Sequence, residues 1–269
     1  MIIDFHTHIF PDRIAAPTIE LLSQKAGIPA HTNGSVDGLL HAMERDGIDI
    51  AVTMPVLTNP LRFESVNRIA KEVNERFAEK DRRLISFAGI HPACEDLEGK
   101  MKWIRENGFL GVKLHPDYQE TFINDPGYIR ILECARELDL IVLTHAGVDV
   151  GYRDCPVRCP PTLALEVIRR VPHAKFVLAH YGASEMHEEV LSLLCGEDVW
   201  FDTSFILRSI SEELFRKILE KHGEDRILFG SDSPWSNMRG DVEILKSFSL
   251  NQTTEEKILC KNAKRLLGI

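Results

Sequence analysis

The chain begins Met1-Ile-Ile-Asp-Phe-His-Thr-His8, an apolar run that ends in a His-x-His pair. Residues i and i+2 of a β-strand point to the same side, so His6 and His8 can present two imidazoles to one divalent ion. From this motif alone, the alternative is a pair of ordinary strand histidines that face solvent or the core. The rest of the chain decides between these two interpretations.

The composition restricts the class of protein and its partners. The chain has 269 residues, of which 44% are hydrophobic and 27% charged, and a single α/β barrel domain commonly has this length. A formal net charge of −9 argues against nucleic acid, which is bound by clustered lysine and arginine. The sequence has no apolar run of about 18 residues and no secretory signal pattern. We therefore predict a cytoplasmic protein without a membrane partner, whose six cysteines are reduced thiols.

Short apolar runs alternate with stretches of helical spacing along the whole chain. Eight such runs occupy residues 2–6, 48–54, 84–91, 111–115, 141–145, 175–180, 199–202 and 227–230. Nearly continuous apolar character is typical of strands in a parallel sheet that is covered on its other face. The clearest helical patterns span residues 64–80, 161–171 and 253–267.

Eight strand–helix alternations predict a (β/α)8 TIM barrel that forms one domain over residues 1–269. The competing architecture is a doubly wound open sheet, which favours a Gly-rich phosphate loop after the first strand. This chain has Thr7-His-Ile-Phe-Pro11 at that position, so the barrel is preferred. Residues 10–34 are longer than a simple turn, and they could form either a flap over the barrel mouth or an ordinary extra helix.

Six of the eleven histidines lie at or just beyond the C-terminal ends of predicted strands, and they are His6, His8, His91, His115, His145 and His180. In a barrel these strand ends meet at one mouth, where active sites are found. Asp232 follows the eighth predicted strand and joins them there. Imidazoles with a carboxylate suit zinc, iron(II) or manganese, of which zinc is the most common. The pattern therefore predicts a divalent metal site at the barrel mouth.

Four motifs in chain order resemble the amidohydrolase superfamily, and they are Asp4-Phe-His-Thr-His8, Thr144-His-Ala-Gly147, Leu178-Ala-His-Tyr-Gly182 and Phe229-Gly-Ser-Asp-Ser-Pro234. They are most similar to the amidohydrolase-2 group, which includes aminocarboxymuconate-semialdehyde decarboxylase. The resemblance implies a metal bound by His6, His8, His145 and Asp232, with a water or hydroxide in the open position. By the same analogy, His180 is a catalytic or second-metal residue.

These residue types suit metal-assisted chemistry, because a bound divalent ion brings the pKa of a water molecule toward neutrality. We hypothesise that Asp232 is both metal ligand and proton shuttle, and that His180 is a general base or polarises the substrate. Asp4 has even spacing with His6. It could fix the tautomer of an imidazole, or it could be a polar residue at the base of the barrel.

The fourth predicted strand departs from better-known members of the superfamily, which carry a bridging carboxylated lysine or a glutamate there. This chain reads Gly111-Val-Lys-Leu-His-Pro116, and Lys113 and His115 share one face. Lys113 could be carboxylated and bridge two ions. We favour a single ion, with His115 in contact with the substrate.

Four further residues have weaker signals. His91 ends the third predicted strand and has either a place near the metal or a structural role. Arg153 and Arg158 could clamp a substrate carboxylate through paired donors, although solvated charge on a long loop is the favoured interpretation. Trp235 could line the pocket or pack elsewhere.

The leading functional prediction is hydrolysis of an amide, ester or lactone bond of a small molecule by a metal-activated water. The alternative reaction is nonhydrolytic decarboxylation of an unsaturated or aromatic acid. A noncatalytic metal-binding role is the option outside enzymology, since a fold does not dictate an activity. For the assembly, a homodimer is one option.

Overall fold

The computed structural model describes residues 1–78, 81 and 83–269. The strands in these residues are β1 (Ile3–Thr7), β2 (Ile50–Thr53), β3 (Leu84–Ser86), β4 (Ala88–Gly89), β5 (Gly111–Leu114), β6 (Ile141–Thr144), β7 (Lys175–Leu178), β8 (Trp200–Asp202) and β9 (Ile227–Leu228). The helices are α1 (Asp12–Ala26), α2 (Val36–Asp46), α3 (Phe63–Arg76), α4 (Leu97–Glu106), α5 (Pro126–Glu137), α6 (Pro161–Arg170), α7 (His187–Leu193), α8 (Glu212–His222), α9 (Met238–Ser247), α10 (Gln252–Glu256) and α11 (Asn262–Leu267).

The strands form a closed parallel barrel. β1 to β3 pair in chain order, as do β4 to β9, and every pair is parallel. The first and last strands meet through backbone hydrogen bonds from Phe5 N to Phe229 O at 2.8 Å and from His8 N to Ser233 O at 2.6 Å. At least one helix lies between the two strands of each pair, as parallel pairing requires. The predicted (β/α)8 barrel is therefore confirmed.

The third predicted strand, residues 84–91, is wrong as one continuous element. β3 pairs with β2 and β4 pairs with β5, with a break between them. Asn74 bonds both backbone groups of Ser86, at 2.7 and 2.9 Å, and Asn67 bonds both groups of Gly89, at 2.8 and 2.9 Å. These amides lie seven residues apart on one face of α3, and they satisfy backbone groups that a neighbouring strand would otherwise pair.

The predicted helices are present with adjusted ends. The helix predicted over residues 64–80 is α3, which ends at Arg76, and the predicted end Lys80 lies outside the described residues. The last predicted helix, 253–267, consists of α10, a π-helical turn over Lys257–Lys261, and α11 in direct succession. The π-helical turn was not predicted, since hydrophobic spacing alone does not distinguish it from an α-helical turn.

Apolar side chains fill the barrel and the layer between barrel and helices. The inner cluster includes Phe5, Phe87, Leu143 and Val177, and Leu266 of α11 joins it. Its members are buried, which explains why the strands are nearly continuous apolar runs in the sequence. All six cysteines are free thiols. Within the described residues, no helix has the length and apolar character needed to cross a membrane.

His222, the last residue of α8, is a buried histidine outside the barrel mouth. Its ring stacks on Phe201 with the centroids 4.1 Å apart, and its Nδ1 accepts a hydrogen bond from Gly196 N at 3.3 Å. Burial lowers the pKa of His222 from 6.5 to about 4. The ring is therefore neutral in the folded protein at pH values where it would be charged in the unfolded chain.

We expect this residue to contribute to acid sensitivity. As pH falls, the unfolded chain binds the proton first, so stability is lost between about pH 6.5 and about pH 4. Relative to His222→Gln, the wild type should lose about 2 kcal/mol of unfolding free energy between about pH 7 and about pH 5. Urea unfolding at the two pH values measures this difference. The exposed control His41→Gln should differ from the wild type by the same unfolding free energy at both pH values. A difference between His222→Gln and the wild type that does not change with pH would contradict the prediction.

Candidate metal centre

Three potential metal ligands converge at the barrel mouth. Nε2 of His6, Nε2 of His8 and a carboxylate oxygen of Asp232 all lie within 4.8 Å of one another. The two imidazole nitrogens are 3.2 Å apart, and Asp232 Oδ1 is 3.5 Å from His6 Nε2 and 3.1 Å from His8 Nε2. Ligand atoms around a tetrahedral ion with nitrogen or oxygen donors are about 3.3 Å apart. The spacing therefore fits a divalent ion.

The hydrogen bonds behind the two imidazoles aim lone pairs at the centre of this group. His6 Nδ1 faces the carboxylate of Asp202 at 2.9 Å, and His8 Nδ1 donates to the carbonyl of Met54 at 2.9 Å. In a neutral ring, the proton on Nδ1 leaves Nε2 as an acceptor. Two nitrogen lone pairs and the Asp232 carboxylate thus face each other, an arrangement that a cation would stabilise.

Backbone contacts between the end of β1 and the segment after β9 hold these ligands together. Asp232 N donates to His6 O at 2.8 Å, while His8 N donates to Ser233 O. Gly230 permits this approach, because a Cβ atom there would lie only 3.0 Å from the Cβ of His6. Asp232 itself has a φ of 66°, a left-handed conformation that is uncommon for a residue with a side chain.

Asp202, at the end of β8, is a buried carboxylate that orients two parts of the site. Burial raises its pKa, but the contact with His6 and the hydrogen bonds from His6 and Ser204 outweigh burial and hold the pKa of Asp202 below its usual range. Its Oδ1 accepts hydrogen bonds from the backbone of His180 at 3.1 Å and of Ser204 at 3.0 Å. Burial lowers the pKa of His6 to about 4, so the ring is neutral at pH 7 and its Nε2 could bind a metal ion.

Of the two alternatives for Asp4, the structure does not show the contact with an imidazole ring. Asp4 Oδ1 accepts from the backbone N–H groups of His6 and Ser231, at 3.2 and 2.9 Å, and its Oδ2 accepts from Ser231 Oγ at 2.5 Å. The side chain therefore supports the backbone of both ligand segments. Asp202 contacts the ring instead, and its position at a strand end was the available signal for it.

Lys113 projects from β5 into the same group. Its Nζ lies 2.9 Å from Nε2 of His6, and the side chain is buried. Burial lowers the pKa of Lys113 to about 8. The amine is therefore within reach of the three ligand atoms, and its carboxylation stays a prediction.

His145 and His180 form a pair beside the first group. His180 Nδ1 donates to Ser204 O at 3.0 Å, and His180 Nε2 lies 2.9 Å from His145 Nδ1. Burial and the neighbouring His115 lower the pKa of His145 well below 6.5. The structure groups His145 with His115 and Asp149 rather than with His6, so its place in the first ligand set stays a prediction.

The three potential ligands His6, His8 and Asp232 and the His145–His180 pair all line one cavity of about 1,090 Å³. Residues 10–34 contain α1, which lines this cavity, and a movement of that segment as a flap stays a prediction. Trp235 also lines the cavity, and its contact with a substrate stays a prediction. Apolar side chains form much of the wall, among them Ile9, Phe10, Ile14, Leu22, Val56, Val148 and Phe205.

Three predicted residues do not line the cavity. Arg153 is an exposed residue that pairs with Glu185 at 3.0 Å, and Arg158 contacts Asp117 at 3.4 Å. These carboxylates pair with the two guanidinium groups, so the observed contacts give no support to a substrate clamp, which stays one of the two alternatives. His91 is buried, with Nδ1 accepting from the backbone of the turn that follows it at 3.1 Å.

Comparison with known proteins identifies one family that matches nearly the whole chain. The family model described as amidohydrolase matches residues 3–269. No curated protein sequence matches the chain. Solved structures match over essentially the full length at low sequence identity, so these matches show a shared fold.

Three of these structures represent the range of activities. The 5-carboxyvanillate decarboxylase from Sphingomonas paucimobilis is 15% identical with a TM-score of 0.70, covering 100% of this chain and 99% of that one. A dihydroxybenzoic acid decarboxylase from Polaromonas, with bound manganese and the inhibitor 2-nitroresorcinol, is 16% identical with a TM-score of 0.72, covering 99% and 96%. A probable 2-pyrone-4,6-dicarboxylic acid hydrolase from Acinetobacter baumannii, with citric acid bound, is 16% identical with a TM-score of 0.68, covering 100% and 99%.

We expect Asp202→Asn to weaken metal binding while the fold is retained. Asparagine keeps an acceptor for the backbone of His180 but removes the charge that orients the His6 ring. Metal affinity should fall by about 10- to 100-fold, as for other partners of metal-bound histidines. Competition with a chelator on the purified protein measures this affinity. The surface control Asp198→Asn should bind like the wild type, and equal affinity for Asp202→Asn would count against the assigned role.

Proposed function

This chain belongs to the amidohydrolase family, and from that premise we propose that it is a metal-dependent decarboxylase of an aromatic or unsaturated carboxylic acid. The sequence alone favoured hydrolysis, which becomes the second candidate. The substrate in either case is a small molecule that enters the cavity above the histidines. The preference for decarboxylation over hydrolysis rests on the cavity and on the similar structures.

The observation that carries the proposal is the apolar wall next to buried neutral imidazoles. A carboxylate loses its charge when it leaves as carbon dioxide, so apolar surroundings destabilise the substrate more than the transition state. Side chains such as Phe10, Val56 and Phe205 supply these surroundings. Two of the three similar structures described above are decarboxylases of aromatic acids, which supports the preference for decarboxylation.

The residues present fit a divalent ion, and the proposed ligands are His6, His8 and Asp232, with His145 added by the family resemblance. When bound, such an ion polarises a coordinated oxygen and can hold an acidic substrate in place. Nitrogen and oxygen ligands suit zinc, manganese or iron(II). Manganese is present in the Polaromonas decarboxylase, and both manganese and zinc should be tested here.

The remaining residues position the substrate and move protons. The rings of His115 and Tyr118 stack with centroids 3.9 Å apart and both line the cavity, so a planar acid in the cavity can pack against the edge of this pair. The His180–His145 pair can hold a proton between Nε2 and Nδ1 and pass it to the carbon that loses carbon dioxide. Lys113 can place a positive charge beside the substrate carboxylate.

Hydrolysis remains the second candidate because Asp232 Oδ1 lies beside His8 Nε2, at the proposed metal position. From there it could accept a proton from an attacking water. The similar Acinetobacter structure, a probable hydrolase of a pyrone dicarboxylic acid, supports this alternative. The two reactions differ in their products and in the fate of water oxygen.

An isotope experiment separates the two reactions directly. Protein loaded with manganese or zinc is incubated in oxygen-18 water with a panel of hydroxylated benzoic acids, unsaturated acids, esters and lactones. We expect carbon dioxide to form in proportion to substrate loss, with no oxygen-18 in the organic product. Oxygen-18 incorporation without carbon dioxide would overturn the decarboxylase proposal and establish hydrolysis.

We expect His180→Gln to lower kcat by about 100- to 10,000-fold, because the proton donor or acceptor is lost. Metal content should stay at the wild-type value, since His180 lies outside the proposed ligand set. Steady-state kinetics and elemental analysis of the same preparation measure both quantities. His173→Gln, at an exposed histidine, is the control, and wild-type kcat in His180→Gln would refute the assignment.

A further inference from the structure

Helix α1 presents an apolar stripe to the cavity. Among its residues, all of which the structure describes, Ala15 alone is buried, while Ile14 and Leu21 are 42% and 64% exposed. The side chains of α1 that line the cavity recur every three or four residues and therefore share one face of the helix. They include Ile14, Thr18, Leu21, Leu22 and Lys25. Apolar side chains grouped in this way on a helix face mark a surface that binds a partner or a ligand.

A second apolar stripe borders the same cavity from α3. Val66, Ile69 and Val73 are spaced by three and four residues, so they also share one helix face, and all three line the cavity. The two stripes thus border one continuous space, whose inner wall contains His6, His8 and Asp232. An apolar cleft therefore extends from the proposed metal position to the exposed residues of α1.

The size of this space exceeds what a small acid needs. Cavities that enclose most of a drug-sized ligand have volumes of about 300 to 1,000 Å³. The cavity here measures about 1,090 Å³. A benzoic acid with its carboxylate at the histidines would fill only the inner part, and the space between α1 and α3 would hold water against apolar side chains. Filling this space with an apolar group is favourable, because the group displaces that water.

Two contacts hold α1 at the edge of the cavity. Nζ of Lys25 lies 3.3 Å from the centre of the Tyr152 ring, a cation–π contact with the loop after β6. Ile19, on another face of the helix, packs against Gly34, where an added Cβ atom would lie 2.7 Å from the Ile19 side chain. Both contacts leave Ile14 and Leu21 exposed. The cleft is therefore open in the arrangement that these contacts stabilise.

The outer part of the cavity carries an excess of positive charge. Five cationic side chains from α1, α3 and the residue before α3 line it, and they are Arg13, Lys25, Arg62, Arg68 and Arg76. The carboxylates that these segments contribute to the wall are Asp12 and Glu72. The excess is local, since the whole chain has a formal net charge of −9. Such a field attracts an anion, so the cleft suits the entry of an acid.

We propose that the cleft between α1 and α3 binds an apolar arm of the substrate, which is accordingly an acid with a long alkyl chain. The acid group lies at the histidines, and the chain packs between Leu21 of α1 and Ile69 of α3. This inference rests on the proposed function, because it takes the substrate to be an acid, and it deepens that function by naming the class of acid.

Binding of a series of acids to the metal-loaded protein tests the cleft without an activity assay. The probes are salicylic acid and its derivatives with an unbranched alkyl chain of two, four, six or eight carbons at C4, C5 or C6. Calorimetry at concentrations below micelle formation measures each Kd. We expect the affinity to rise about two- to fourfold for each added methylene in at least one of the three series, because each methylene leaves water for the cleft.

Substitutions on the two stripes locate the chain. The measured quantity is the ratio of the Kd of salicylic acid to that of the tightest eight-carbon derivative. Leu21→Ser and Ile69→Ser should each lower this ratio about 10-fold, because a polar side chain replaces an apolar wall. The matched control is Leu61→Ser, since Leu61 is 87% exposed and lies outside the described cavity wall. This control should keep the wild-type ratio, and circular dichroism establishes that each variant is folded.

Two outcomes would overturn the proposal. The first is an affinity that does not rise with chain length in any series, as expected if α1 closed onto α3 and the two stripes covered each other. The second is a ratio that Leu21→Ser and Ile69→Ser leave unchanged, or that Leu61→Ser lowers equally.

Failure of the cleft and failure of the proposed reaction give different results. If single-ring acids release carbon dioxide but chain length has no effect on binding, the cleft is refuted and the proposed enzyme stands. If affinity rises with chain length and the two stripe variants lower the ratio, the cleft stands even where the oxygen-18 experiment shows hydrolysis.

Discussion

The hydrogen bond between His6 Nδ1 and Asp202, at 2.9 Å and fully buried, is the contact on which the site depends. It fixes the tautomer of the first ligand and places its lone pair toward Asp232. The same carboxylate accepts the backbone N–H of His180, whose φ of 60° is left-handed. One side chain at the end of β8 thereby sets both the ligand in β1 and the turn after β7. A closed barrel makes this possible, because β1 and β8 are brought to one mouth.

Burial of ionisable groups gives the mouth its chemical character. Desolvation lowers the pKa of His6 to about 4, so its ring is neutral at pH 7 and can act as a ligand, and it lowers the pKa of Lys113 to about 8, which still leaves the amine mostly charged at pH 7. Asp202 and Asp232 stay charged, because their contacts with the neighbouring histidines hold the pKa of both carboxyl groups below the usual range despite burial. Such an arrangement contributes little to stability and is typical of functional sites. The cavity above it is large enough for an aromatic acid.

The sequence predicted those features that follow from chain order and strand geometry. His6, His8 and Asp232 come together because strand ends of a parallel barrel converge, and alternation along β1 gives His6 and His8 one direction. The sequence did not predict Asp117 and Asp149, because carboxylates in loops are common among the 41 acidic residues and carry no local signal. The break between β3 and β4 was missed for a related reason, since it depends on asparagine side chains that reach from α3.

The central claim is that His6, His8 and Asp232 hold one divalent ion at the mouth of the barrel. Anomalous diffraction at the manganese or zinc absorption edge, on crystals of the metal-loaded protein, tests it most directly. The account predicts an anomalous peak at bonding distance from Nε2 of both histidines and from the Asp232 carboxylate. The absence of a peak between these three side chains, in crystals shown by fluorescence to contain the metal, would contradict it.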